Sequence, residues 1–188
     1  MLYVQQINDT VWQYNYYNIP GPLLNIETFR SEKSEMPHGY FAYFDKNGSV
    51  DSIGNYFNGI KNGDWYFFDD HLSMQKKLIY QNGIIINTWQ KKQDTSAKDP
   101  ADPDEIKAEF RKGSKGWKTY LQNNFKYPLR AQNLNIHGSV SVRFIVTEEG
   151  KIESPQLVKS AEYSIDREAI RILSESPLWI PGFQFGKK

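Results

Sequence analysis

The feature that most constrains the fold of this chain is a run of alternating apolar and polar residues between Gly138 and Thr147. Successive side chains of a β-strand point to opposite faces, so this pattern predicts a half-buried antiparallel strand with one core face and one wet face. The apolar positions are Val140, Val142, Phe144 and Val146. The segment Glu148-Glu149-Gly150-Lys151 and the residues from Ile152 to Lys159 are expected to turn the chain and complete a β-hairpin.

An amphipathic helix is expected after this hairpin. Its apolar residues recur at i, i+4, i+7 and i+8, as Ile165, Ala169, Ile172 and Leu173. Ser164 or Asp166 can cap its start, and Pro177 and Pro181 stop it. Upstream of the hairpin, residues 105–110 and 117–124 carry helical spacing and are expected to form helices that lead into the sheet.

In this order, the motifs resemble the C-terminal domain of the TonB family over about residues 110–182. The residues that carry the resemblance are Phe125-Lys-Tyr-Pro-Leu-Arg-Ala131, Gly138-Ser-Val140, Phe144, Val146, Glu149-Gly150-Lys-Ile152, Val158-Lys-Ser160, Ile165-Asp166, Glu168-Ala169 and Trp179-Ile-Pro-Gly182. The family implies a periplasmic domain in which a three-stranded antiparallel sheet packs on helices. Its exposed edge strand pairs with a short extended segment, the TonB box, of an outer-membrane receptor. Such β-augmentation draws affinity from main-chain hydrogen bonds and selectivity from side-chain pockets.

Two departures from the family pattern limit what the resemblance implies. In the family a third strand follows the Pro-Gly, whereas this chain reads Phe183-Gln-Phe-Gly-Lys-Lys188 and ends. We therefore expect the usual docking strand to be lacking, either because the natural protein continues or because the domain binds through another surface. A two-stranded sheet is marginal in water, so dimerisation through its open edge is a further expectation.

The second departure concerns the membrane. The family's energy transducers begin with a membrane-spanning helix, but this sequence has no run of about 20 consecutive apolar residues. Residues 1–20 also lack the basic start and apolar core of a signal peptide, which predicts that an export segment was removed before Met1 or replaced by it. The chain as given is not expected to couple to an inner-membrane motor.

The first half of the chain repeats with a period of 24 residues. Residues 39–45 align with residues 63–69, and residues 56–59 align with residues 80–83. A fixed period indicates an array of one structural unit, and each unit is expected to be a hairpin that ends at Asn-Gly. Weaker echoes lie upstream, at residues 11–14 and 26–29.

The repeats resemble the bacterial variant of the MORN-repeat family over roughly residues 10–90. The pattern is carried by Tyr56, Asn58, Gly59, Gly63, Trp65 and Phe68. This resemblance implies hairpins stacked into one elongated sheet, with a role in scaffolding or in contact with proteins or membranes, and without chemistry.

A polar, proline-bearing segment at residues 91–104 separates the two halves and is predicted to be a linker. The predicted domains are therefore an all-β hairpin-repeat sheet at residues 1–90 and an α+β, TonB-like domain at residues 105–188.

Composition excludes several function classes. The net charge is +1 and the charged residues are mixed in sign, which argues against a nucleic-acid partner. The chain has no cysteine, so disulfides, thiolate catalysis and zinc–thiolate sites are excluded.

Candidate chemical motifs are better explained as turns. The segment from Asp45 to Asp51 looks like the opening of a calcium loop, but the twelfth position holds Tyr56 instead of the required Glu. Residues 113–116 have too few positions between their glycines for a phosphate-binding loop. The three histidines lack ligand spacing. We therefore predict a non-enzymatic protein with no catalytic residue, metal or cofactor.

The sequence favours a periplasmic binding protein whose TonB-like domain engages an extended peptide of an outer-membrane transport receptor. The candidate partner-binding residues are Gln132, Arg143, Trp179, Phe183, Gln184 and Phe185. The repeats give a second contact surface, with Tyr43, Trp65 and Phe67 as its aromatic face. Alternation leaves open whether Trp65 and Phe67 or Tyr66 and Phe68 are the exposed pair. The alternative function is a structural or antitoxin-like interaction module in which the TonB-like domain serves self-association.

Overall fold

The computed structural model describes residues 1–91 and 107–182. Residues 2–90 form one eight-stranded antiparallel sheet in which each strand pairs with the next along the chain. The strands are β1 (Leu2–Asn8), β2 (Val11–Tyr17), β3 (Leu23–Phe29), β4 (Gly39–Phe44), β5 (Val50–Phe57), β6 (Ile60–Phe68), β7 (Met74–Gln81) and β8 (Ile84–Gln90). The prediction of an all-β hairpin-repeat sheet is confirmed, and the upstream echoes at residues 11–14 and 26–29 belong to β2 and β3.

The strands follow the 24-residue period of the sequence. Strands β5 and β7 begin and end 24 residues apart, and so do the C-terminal ends of β4 and β6. The two-residue turns Asn58-Gly59 and Asn82-Gly83 are also 24 residues apart, and all four residues have positive φ. A hairpin turn of type I′ needs positive φ at both central residues, which Asn and Gly tolerate best.

The other turn of each unit depends on an aspartate at its start. Asp45 Oδ1 accepts hydrogen bonds from the amides of Asn47 and Ser49, at 2.8 and 2.9 Å. Twenty-four residues later, Asp69 Oδ1 accepts equivalent bonds from His71 and Ser73, at 3.0 and 2.9 Å. The segment that resembled a calcium loop is thus a turn whose first carboxylate is occupied by backbone N–H groups.

The two faces of the sheet differ. One face, here called the aromatic face, buries Tyr14, Phe29, Phe41, Trp65 and Leu78 under half-buried neighbours of the same sheet. The other face, here called the covered face, buries Tyr17, Leu23, Ile26, Ala42, Phe44, Val50 and Ile53 against the C-terminal part of the chain, which contributes Leu157.

That C-terminal part contains three helices and one hairpin. The elements are α1 (Gly113–Asn124), α2 (Leu129–Asn133), β9 (Ser141–Val146), β10 (Ile152–Lys159) and α3 (Tyr163–Ser174). The predicted hairpin is present, and Gly150 in its turn has φ +82°. Helix α3 lies where the apolar spacing placed it.

Two local expectations were wrong. Residues 107–110 form no helix; Glu109 instead makes a β-bridge with Ile180, and this bridge fixes the approach to α1. Helix α3 is capped by Glu162, whose side chain accepts from the amide of Ser164 at 2.8 Å. A carboxylate can serve as well as a hydroxyl in this position because both accept from the first free N–H groups. Asp166, a predicted cap, is buried and has a different role.

A buried polar network joins the sheet to the C-terminal part. The amide of Leu23 donates to Ser160 Oγ at 2.8 Å, and the amide of Ser160 donates to the carbonyl of Gly48 at 2.8 Å. Ser160 Oγ in turn donates to Asp166, which also accepts from the amide of Ala161 at 2.9 Å. Burial raises the pKa of the Asp166 carboxyl to about 6, although these hydrogen bonds favour its ionised form.

The repeats are not identical in register. Between β5 and β6, Gly54 lies opposite three residues, 63–65, so β6 carries two extra residues. Between β7 and β8 the corresponding bulge adds only one residue, Ile86. As a result Trp65 lies opposite Leu78, whereas its counterpart Trp89 lies opposite Lys77 and so projects from the other face of the sheet.

Candidate functional site

Strand β9 has an open edge. It pairs with β10 in a two-stranded sheet, and within residues 1–91 and 107–182 no strand pairs along its other side. The far edge of β10 is partly occupied, because Lys159 forms a β-bridge with Ser49 in the turn between β4 and β5. An open edge presents unpaired N–H and C=O groups to an incoming strand.

An apolar groove of about 630 Å³ runs beside this strand. Its floor is the inner face of β9, with Val140, Val142 and Phe144, and the apolar face of α3. The remaining lining is Trp117, Leu121, Gln122, Phe125, Gly138, Ile165, Ala169, Ile172, Leu173 and Trp179. Sequence reasoning assigned most of these side chains to a closed core; the structure opens that core along one side.

Helix α1 forms the opposite wall of the groove. The Tyr120 hydroxyl donates to the carbonyl of Ile172, and Arg171 Nη2 donates to the carbonyl of Asn124, both at 3.0 Å. These bonds hold α1 against α3. At the groove's end, the rings of Phe110 and Trp117 lie 5.3 and 5.4 Å from that of Trp179.

The loop after α1 is held by a buried carboxylate. The amide of Lys126 donates to Glu168 Oε1 at 2.7 Å, and Arg171 binds the same carboxyl group. The hydrogen-bonded Arg171 guanidinium lowers the pKa of Glu168 despite its burial. This arrangement fixes Phe125, next to Lys126, as a groove residue.

Each predicted partner-binding residue in the described ranges has a defined place. Arg143 lies exposed on the face of β9 away from the groove, where its Nη2 donates to Gln156 Oε1 at 3.0 Å. Trp179 lines the groove, and its Nε1 donates to Ser176 Oγ at 3.0 Å. Gln132, on α2, donates to the carbonyl of Tyr127 at 2.8 Å. The structure thus brings Arg143 and Trp179 to the same strand but to opposite faces.

The remaining predicted contacts at Phe183, Gln184 and Phe185 lie outside the described residues. Residues 92–104 of the predicted linker also lie outside them.

The predicted aromatic contact residues share one face of the large sheet. Tyr43 and Phe67 are half-buried there, but Trp65 is only 1% exposed. Trp65 lies flat on Gly54, and the Lys61 ammonium lies 4.0 Å from its ring centre. Trp65 is therefore a packing residue, and Tyr43 and Phe67 remain the candidate contacts. Tyr66 and Phe68 pack on the covered face.

The groove wall formed by α1 is basic. Arg111, Lys112, Lys115 and Lys118 are exposed in or just before this helix. In the part of the chain that the structure describes, none of them forms an ion pair. The only acidic residue between positions 107 and 134 is Glu109. The surroundings of the groove therefore favour anionic groups.

Other kinds of site are not built here. Among the described residues, no three His, Asp or Glu side chains are grouped so that they could hold a metal ion. None of the helices in these ranges is long and apolar enough to cross a bilayer. What the arrangement offers is a hydrogen-bonding edge beside apolar walls, the means by which proteins recognise extended peptides.

Residues 123–188 match the family model described as Gram-negative bacterial TonB protein C-terminal. This part of the chain is thus a TonB-like domain of the kind that contacts proteins of the cell envelope. The match does not extend to the repeats, whose likeness to MORN repeats remains a resemblance. No curated protein and no solved structure gives a significant match to the chain.

Proposed function

We propose that this protein is a non-enzymatic binding protein of the periplasm whose TonB-like domain engages an extended segment of an outer-membrane transport receptor. The observation that carries the proposal is the open edge of β9 within the region similar to TonB. A receptor segment laid along this edge would gain main-chain hydrogen bonds at each second residue, the mode known as β-augmentation.

The large sheet supports a second contact surface. Its aromatic face carries Tyr43 and Phe67 half-exposed, and no element from residues 107–182 packs on that face. Aromatic side chains lose little conformational entropy on binding and are common in protein interfaces. A partner could thus be held both at β9 and on the sheet.

Photo-crosslinking in the cell envelope tests the proposal. A photoreactive residue is placed at Arg143 or at Gln184 in the full natural reading frame, with Lys46, in a distant turn, as the control position. We expect capture of the N-terminal plug segment of a TonB-dependent receptor from Arg143 and Gln184 but not from Lys46.

Capture of only a second copy of this chain would contradict the receptor proposal. That result would favour the alternative, a structural or antitoxin-like module in which the open edge of the TonB-like domain serves self-association.

A further inference from the structure

We infer that the groove beside β9 selects an extended peptide with bulky apolar side chains at alternate positions and acidic side chains between them. This inference rests on the proposed function, since it names the chemistry of the segment that the open edge would receive.

The alternation follows from strand geometry. Side chains of an added strand share faces with those of its neighbour, so every second side chain of the peptide would lie on the same face as Val142 and Phe144. That face is the floor of the groove. Strand β9 has six residues, so about three peptide side chains would point into the groove.

The groove wants large apolar groups. Its volume of about 630 Å³ lies within the range of roughly 300–1,000 Å³ typical of ligand pockets. Gln122 is the one residue with a polar side chain among the thirteen that line it, and Trp117 and Trp179 supply broad aromatic walls. Water against such walls is released when apolar side chains replace it.

The intervening positions want negative charge. They would lie on the face of β9 that carries exposed Arg143, whose hydrogen-bond partner is the neutral Gln156. Lys115 and Lys118 stand exposed on the α1 wall, without ion pairs in residues 107–182. Exposed ion pairs add only modest affinity, but like charges would reject basic segments, so charge acts here on selectivity.

Fluorescence anisotropy with the full chain tests this inference. Four ten-residue probes share a backbone: Leu alternating with Glu, Leu alternating with Lys, the same Leu and Glu residues in contiguous blocks, and the Leu/Glu alternation with alternate amides N-methylated. We expect the Leu/Glu alternation to bind at least about tenfold more tightly than each of the other three. Equal affinity for all four probes, or no binding of the first, would overturn the inference.

Two variants assign the selectivity to residues. Arg143→Glu should weaken the Leu/Glu probe about fivefold and tighten the Leu/Lys probe, whereas Lys46→Glu, far from the groove, should change neither. Ala169→Leu adds apolar volume inside the groove and should weaken the Leu/Glu probe about tenfold. Circular dichroism must show both variants folded; an unfolded Ala169→Leu protein leaves the charge reversal at Arg143 as the deciding result.

The outcomes separate this inference from the proposed function. If receptor segments are crosslinked in the envelope but the four probes bind alike, the inference fails and the function stands. If the Leu/Glu probe binds as expected but no receptor is captured, the groove's selectivity stands and its natural partner lies elsewhere.

Discussion

At the scale of single residues, the contact between Gly54 and Trp65 shows how tightly the aromatic face is packed. A Cβ atom at position 54 would lie 2.2 Å from the indole ring. Gly54→Ala should therefore destabilise the protein by about 1–3 kcal/mol through overpacking. Urea unfolding measures the loss, and the double variant with Trp65→Phe should recover part of it, because the smaller ring leaves room for a methyl group. Additive losses in the double variant would contradict this contact.

Asp166 gives the molecule a specific pH dependence. Its pKa of about 6 lies above the usual value of 3.8, so between these pH values the folded state binds more protons than the unfolded state. Stability should then fall as pH rises from about 4 to about 6, by at most ~3 kcal/mol from this group.

Comparison with Asp166→Asn isolates this contribution. The pKa values of Glu162 and Glu168 are shifted downward, but both groups are present in both proteins and cancel in the difference. The wild-type stability curve from urea unfolding should descend relative to the variant's between pH 4 and 6. Parallel curves would show that Asp166 does not titrate in this range.

At the scale of elements, β9 separates stability from binding. Val142 packs against the core that contains Leu157, so Val142→Lys should bury an uncompensated charge and cost roughly 3 kcal/mol or more. Arg143 is exposed on the opposite face, so Arg143→Glu should keep the melting temperature and change only partner binding. Thermal melts that rank the two variants in reverse would refute the orientation of β9.

The turn between β6 and β7 offers a test of the repeat. Asp69 accepts two backbone hydrogen bonds and one from Gln75, whereas its neighbour Asp70 is exposed and outside this arrangement. Asp69→Ala should lower the melting temperature by about 4 °C, and Asp70→Ala should leave it unchanged. Equal melting temperatures for the two variants would mean that the turn does not depend on this carboxylate.

The elements themselves were largely predictable from sequence. Period-two alternation identified β9, period-24 alignment identified the hairpins, and Asn-Gly marked their turns, because each of these signals is local. The cap of α3 and the bridge of Glu109 were missed. Both depend on partners that the fold brings near, Ser164 after a backbone reversal and Ile180 from far along the chain.

At the scale of the whole molecule, the buried network at Ser160 links the two described parts. The amides of Leu23 and Ser160 both lie in it, one from the sheet and one from the C-terminal part. We expect both amides to exchange hydrogen only through global unfolding and at the same free energy of opening, since neither part can expose its side of the network alone. Amide exchange followed by NMR checks this. Fast exchange at Ser160 with slow exchange at Leu23 would show that the parts open separately.

Sequence reasoning could not find this junction or the groove. Composition indicated two domains joined by a linker, but no local pattern reports that Leu157 packs against Leu23 and Ile53. The groove is equally nonlocal, because its walls come from α1, β9 and α3, whose apolar faces looked sufficient to close a core. The candidate residues at the strand itself, Arg143 and Trp179, were within reach of sequence because they belong to recognisable motifs.

The shorter bulge between β7 and β8 sets where the repeat array can grow. Trp89 occupies the repeat position of Trp65 but projects from the opposite face of the sheet. A further 24-residue unit grafted after β8 would therefore begin out of phase, with its aromatic side chains directed away from the layer they should extend. The sheet carries its own stop in its register, so a lengthened version would first need a second residue restored to that bulge.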